Sequence, residues 1–294
     1  MNPAGVIYAV LASLIWGFVP VFWRSLDSIP PFDLIAQRLI WTSLFSAGLL
    51  LLVRRGRELA RAFSDLNHAL RVLIGACLIV SNWVIFVWAV VNDHVVDASL
   101  GYYLNPLMSV LLGMLVLREQ LSLLQAVSVA LAILGVGVLV WDYQGLPWIS
   151  VGLGLSFGLY GLVHKLTDVN PIARLTIESA ALVPLAIWFL MTQRPPESPF
   201  FGTHDATVTS LVIATGPVTI APLVLFGSAA RRLTLTSLGL FQYMGPTITF
   251  LLAVYGFGEP LTRGHWITFP LIWLALGVYS YESFGEPKSL TPSV

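Results

Sequence analysis

The chain has 294 residues, of which 57% are hydrophobic and only 10% charged, with 15 lysines and arginines set against 15 aspartates and glutamates. Mean hydropathy is +0.84. An average soluble domain carries about 25% charged residues, so most of this surface must be solvated by lipid. Zero net formal charge removes the electrostatic basis for nucleic-acid binding. The single cysteine, Cys77, excludes a disulfide framework and a thiolate metal site, and the five histidines are scattered without metal-ligand spacing. No cofactor is expected.

A helix needs about 20 apolar residues to cross roughly 30 Å of hydrocarbon. Ten windows meet this in chain order: 5–23, 33–53, 70–90, 97–117, 122–141, 147–164, 171–191, 207–229, 235–256 and 264–283. The first has no basic residue before it and no small-residue cleavage site, and it reads as a retained helix rather than a leader. Turn formers separate several windows: Pro30-Pro31, Asn92-Asp93, Gly145-Leu146-Pro147 and Asn170-Pro171. The longest links are 54–69, which is basic, and 192–206, which is proline-rich. A β-barrel would show weaker, alternating segments of about ten residues.

Ten crossings from a cytoplasmic N-terminus put Arg54, Arg55, Arg57, Arg61, Arg71, Arg118, Lys165, Arg174, Arg231, Arg232 and Lys288 inside. Only Arg24, Arg194 and Arg263 fall outside, with Arg38 left within a helix. The positive-inside bias therefore implies that both termini are cytoplasmic.

The halves resemble each other. A shift of 140 residues carries Phe86 to Phe226, Leu100 to Leu240, Tyr103 to Tyr243, Pro106 to Pro246, Glu119 to Glu259 and Leu121-Ser122 to Leu261-Thr262. A shift of 141 carries Gly17 to Gly158, Arg24 to Lys165 and Pro30 to Pro171. Five helices per half is an odd number, so the halves must enter the membrane in opposite senses. The expected fold is an all-α membrane protein, ten transmembrane helices in two inverted five-helix repeats. The repeats are residues 1–143 and 144–285, followed by a cytoplasmic tail, 286–294. Such a pair has two equivalent states, open to either side, which alternating access requires. Duplication used only for packing is the plainer alternative.

Polar groups within the bilayer mark candidate sites for a small-molecule substrate. Arg38, with Gln37, is placed to hold a carboxylate or phosphate; snorkelling to headgroups is the alternative. Glu178, the mirror of Gln37, could exchange protons if unpaired, with protons the candidate coupling ion; a structural ion pair is the alternative. Asn82, Trp83 and Trp88 offer hydrogen bonds and stacking, or else interhelical glue and packing. Tyr102, Tyr103 and Asn105 precede Pro106, and Gln242 and Tyr243 precede Pro246. Each proline frees a carbonyl at corresponding places in the two halves, which is the sequence pointer to a transporter site. Glu119 and Glu259, with Ser122 and Thr262 as caps, read as fold determinants at helix N-termini.

The stretch Asp97-Ala-Ser-Leu-Gly-Tyr-Tyr-Leu-Asn-Pro-Leu107 resembles a signature of the RarD-type permeases. So do Gln37-Arg38-Leu-Ile-Trp41, Ser81-Asn82-Trp83, Phe157-Gly-Leu-Tyr-Gly-Leu-Val163 and Phe241-Gln-Tyr-Met-Gly-Pro-Thr247. These permeases are a branch of the EamA-containing drug/metabolite transporter superfamily. The resemblance covers residues 5 to 283 and implies ten helices, a plasma-membrane location and small-molecule transport. It also implies a link to chloramphenicol. Gln37 departs from the histidine expected before the arginine.

The sequence has no GxxxxGK[ST], HExxH or GxSxG stretch and no visible filter segment. The expectation is a secondary transporter, an exporter rather than an enzyme, with a membrane-embedded enzyme or a channel as the alternatives.

Overall fold

The computed structural model describes residues 2–62, 65–92, 94–143, 148–192, 205–256 and 263–285. The expected tail 286–294, most of the 192–206 link, Glu259 and Thr262 lie outside the described residues. Helices cover every apolar window, and among the described residues there is no strand.

Caps and prolines fix where these helices start. Asn2 caps α1 (Pro3–Arg24) with its side chain, and α2 (Pro31–Leu52) opens on proline, whose fixed φ and missing N–H suit a first turn. A short helix the sequence did not signal, α3 (Arg57–Ala62), lies in the basic link. It precedes α4 (Leu66–Val91), α5 (Val95–Leu115) and α6 (Leu123–Tyr143). Ahead of α6, Ser122 and Gln125 exchange backbone-to-side-chain hydrogen bonds of 3.2 Å each, a reciprocal capping box. The second half begins with α7 (Trp148–Lys165), and Asn170 then caps α8 (Pro171–Ala180). Next come α9 (Val183–Thr192), α10 (Ala206–Ala230), α11 (Leu235–Gln242) and α12 (Met244–Leu251). One π turn, Leu252–Gly256, follows α12, and α13 (Arg263–Gly285) completes the described chain.

Two of the expected spans are each built from two helices. α8 ends at Ala180, four residues before Pro184, and α11 ends at Gln242, four residues before Pro246. A proline cannot donate to the carbonyl four residues back, so each break falls where the helix ladder loses its bond. In α1, α5, α10 and α13 the prolines are accommodated inside continuous helices.

Among the described residues six helical stretches are long and apolar enough to cross a membrane: Pro3–Arg24, Pro31–Leu52, Leu66–Phe86, Pro171–Thr192, Ala206–Ala230 and Leu235–Gly256. Leu100–Leu115 and Leu123–Val138 are shorter apolar stretches of the same kind. α1 packs on α10 and α12, and α7 packs on α4 and α5. α2 packs on α8 and α10, α5 on α11, and α6 on α13. The centre is aromatic: Trp16 lies 5.5 Å from Phe157 and 5.6 Å from Phe226, and Phe157 lies 5.0 Å from Phe226.

The cationic ends gather. Lys165 donates to the Leu233 carbonyl, Arg231 pairs with Asp168, and Arg71 donates to the Leu166 carbonyl. Arg232 lies over the Tyr8 ring at 5.1 Å. Glu119 joins the same group across the two halves. Its carboxylate accepts from the Leu235 and Thr236 backbone N–H groups at 2.7 and 2.9 Å, and from the Thr236 hydroxyl at 2.9 Å. It therefore caps α11 rather than the helix that follows it in sequence.

Candidate functional site

Arg38 lies two turns into α2, half-buried. Its Nε donates to the Thr219 hydroxyl of α10 at 2.8 Å. Its guanidinium carbon sits 4.2 Å from the Trp83 ring centroid and 5.4 Å from that of Trp23. The Tyr102 hydroxyl is within electrostatic range. Among the described residues no carboxylate stands at ion-pair distance from Arg38. Four helices, α1, α2, α4 and α10, thus converge on one cation that carries no internal counter-charge.

Gly216 makes this convergence possible. A Cβ there would lie 2.8 Å from the Trp41 backbone carbon and oxygen, so only glycine lets α10 approach α2 this closely. Thr219, one turn further along α10, then reaches Arg38.

The other expected site residues divide. Gln37 is half-buried next to Arg38. Tyr102 meets Phe86 edge-on at 5.9 Å and keeps 49% of its surface. Tyr103 meets Phe269 edge-on at 5.8 Å. Asn105 Oδ1 and the Tyr243 hydroxyl are buried without hydrogen-bond partners, and such groups call for an explanation. Gln242 spends its amide on Ser109 Oγ at 3.2 Å and the Leu238 carbonyl at 3.5 Å, binding α11 to α5. Asn82 donates to the Leu153 carbonyl at 2.9 Å and to Ser156 Oγ at 3.0 Å, binding α4 to α7. Trp88 stacks on His94 at 5.5 Å and tilts against Trp148 at 5.4 Å, away from the Arg38 group.

Glu178 belongs to a different centre. It accepts from Arg174 Nε at 2.7 Å and from the Tyr160 hydroxyl at 3.0 Å, and both members of the ion pair keep only 1% exposure. Arg174 also donates to the Val163 carbonyl at 3.1 Å and the Arg71 carbonyl at 3.3 Å, so α4, α7 and α8 meet here. Gly75 leaves the room: a Cβ would lie 2.5 Å from both Arg174 Nη2 and Glu178 Oε1. Proton exchange at Glu178 was expected of an unpaired carboxylate; this one is paired. Arg38 and Glu178 share no hydrogen bond or ion pair, and each keeps its own partners.

Thr219, Trp23 and Arg174 were not foreseen. Arg174 carried a signal, the four-residue spacing to Glu178 that puts both on one helix face. Thr219 and Trp23 carried none, because their roles depend on how distant helices pack.

Residues 3–141 match the EamA-like transporter family. Over 289 residues the chain is 42% identical to an uncharacterized transporter of Pseudomonas aeruginosa, covering 97% of this chain and 96% of that one. Over 279 residues it is 38% identical to protein RarD of Escherichia coli K12, covering 95% and 94%. The chain belongs to the RarD-type EamA permeases. It is therefore a membrane transporter of the drug/metabolite transporter superfamily, a multi-pass protein of a bacterial transporter family. A second P. aeruginosa relative of this RarD-type permease, 26% identical over 283 residues (95% of this chain, 94% of that one), bears the name chloramphenicol-sensitive protein RarD. A solved protein structure shares the fold with a TM-score of 0.73 at 19% identity, covering 96% of this permease and 99% of that chain.

Proposed function

We propose that this permease is a secondary transporter, an exporter of small amphipathic metabolites or drugs. It works by alternating access between two inverted five-helix repeats, residues 1–143 and 144–285, in a bacterial inner membrane. Both termini are cytoplasmic. The observation that carries this reading is the exchange of helix neighbours under the sequence shift. α1 on α10 becomes α7 on α4, α1 on α12 becomes α7 on α5, and α2 on α10 becomes α8 on α4. Trp16 and Phe157 are equivalent under the shift of 141, and they meet at 5.5 Å, as residues flanking a pseudo-two-fold axis would. Lys165, Arg231, Arg232 and Arg71 gather with the start of α1, which supports a common cytoplasmic face.

The substrate site in this proposal is centred on Arg38, Gln37, Trp83 and Tyr102. Tyr103, Asn105 and Tyr243 on the proline-bearing α5 and the α11–α12 junction supply further polar contacts. Asn82, Trp88, Gln242 and the Glu178 pair hold the helices around it. A gradient drives the cycle, and proton coupling through Glu178 is not part of the mechanism. The test is counterflow in proteoliposomes with a radiolabelled solute, screening amino acids, aromatic metabolites and chloramphenicol, the last suggested by the P. aeruginosa relative's name. Saturable exchange accelerated by unlabelled solute on the opposite side is expected. A linear, non-saturating flux without acceleration would indicate a channel and overturn the proposal.

A further inference from the structure

Resting on the transporter reading, we infer that the substrate is a monoanion: a carboxylate head held in the fork of Arg38, with a planar apolar body laid against Trp83. The guanidinium has five N–H donors, of which Nε–H is used on Thr219 at 2.8 Å. The four Nη hydrogens meet no acceptor among the described residues, and no carboxylate there balances the charge.

A cation inside a helix bundle is costly unless paired. Four other cations packed among the helices do have acceptors: Arg174 has Glu178, Arg231 has Asp168, and Lys165 and Arg71 have carbonyls. The indole faces of Trp83 and Trp23 attract the positive charge at 4.2 and 5.4 Å. They hold the fork in place without occupying its in-plane donors, and a carboxylate accepts from such a fork in two parallel bonds.

The count of charges selects the ligand. One unpaired cation neutralises one negative charge, so a dianion would leave a charge over and a cation would be repelled. The aromatic surroundings, Trp23, Trp83 and Tyr102, match a flat hydrophobic body rather than a sugar.

The experiment uses the full chain in phosphatidylcholine nanodiscs, where no anionic headgroup competes. Calorimetric titration compares phenylacetate, phenylacetamide, phenyl phosphate and phenethylamine. Phenylacetate is expected to bind most tightly, roughly tenfold to a hundredfold better than the amide, the range of a charged hydrogen-bonded contact. Arg38→Gln should erase the acid-over-amide preference, and Arg38→Lys should restore charge attraction only in part, because a point charge lacks the fork. The acid–amide comparison on the unaltered protein stands even where a variant fails to fold. Equal binding of acid and amide, tighter binding of the amine, or no binding by the acid overturns the inference. Counterflow with whichever of the four probes binds then decides separately whether the carrier reading survives.

Discussion

Glu178→Gln separates a structural ion pair from a proton carrier. The carboxylate accepts from Arg174 Nε at 2.7 Å and from the Tyr160 hydroxyl at 3.0 Å, with both charges at 1% exposure. Glutamine keeps one acceptor oxygen and turns its amide N–H₂ toward a donor. One charge-assisted bond is lost, worth about 1.5–3 kcal/mol, and Arg174 is left buried without a counter-charge. Removing one partner of a buried pair costs about 3–5 kcal/mol in all, whereas removing both is far cheaper because the desolvation of both charges is relieved. The assay is reversible unfolding by dodecyl sulfate in mixed micelles, followed by tryptophan fluorescence, on Glu178→Gln, Arg174→Met and the double variant Arg174→Met/Glu178→Met. Each single variant is expected to lose about 3–5 kcal/mol and the double variant clearly less than their sum. The pH profile of flux, in whatever variant remains folded, should match the unaltered protein. A Glu178→Gln protein of full stability with a flattened pH profile would refute the reasoning and return Glu178 to proton coupling.

Gly216→Ala should force α10 away from Trp41, because the new Cβ would lie 2.8 Å from backbone atoms that cannot yield. A loss of about 1–3 kcal/mol is expected in the same unfolding assay, and transport should fall with it as Thr219 leaves Arg38. Glu119→Ala removes the acceptor for two backbone donors at the start of α11. The expected cost is about 1–2 kcal/mol, as for other helix-start caps, and hydrogen exchange at Leu235 and Thr236 should accelerate. Asn82→Ala unties α4 from α7, and a stability loss of about 1 kcal/mol with the substrate dissociation constant unchanged is the expected outcome. A loss of affinity without a loss of stability would move Asn82 into the binding site.

Much of this architecture can be read from residues alone, because apolar run length and proline position act locally. Pro184 and Pro246 each mark the helix break four residues upstream through a missing donor, but Pro106, Pro217, Pro222 and Pro270 lack the same donor inside unbroken helices, so which proline breaks its helix is set by packing. Arg38 stands out as a charge within a helix and Trp83 as a large aromatic in the middle of one, and the folded chain stacks one on the other. What the sequence hides is the direction each side chain faces. Arg174 reads as one more cationic end residue despite its four-residue spacing to Glu178, and Gly75 of α4 leaves the room in which the two pair. Asn82 and Trp83 are adjacent yet serve different partners, since neighbouring helix positions point about 100° apart. Glu119 looks like a cap for its own following helix and instead caps α11, more than a hundred residues away in sequence. The six-residue α3 is too short and too basic to show a periodic apolar face.

The inverted duplication is tested most directly by asking from which side of the membrane equivalent residues are reached. Ser25 and Leu166 correspond under the shift of 141, and both are exposed. With Cys77 replaced by serine, Ser25→Cys and Leu166→Cys proteins are treated with a membrane-impermeant maleimide in intact spheroplasts and again after permeabilisation. Ser25→Cys should react in intact cells, and Leu166→Cys only once the inner face is opened. Reaction of both from the same side would contradict the account.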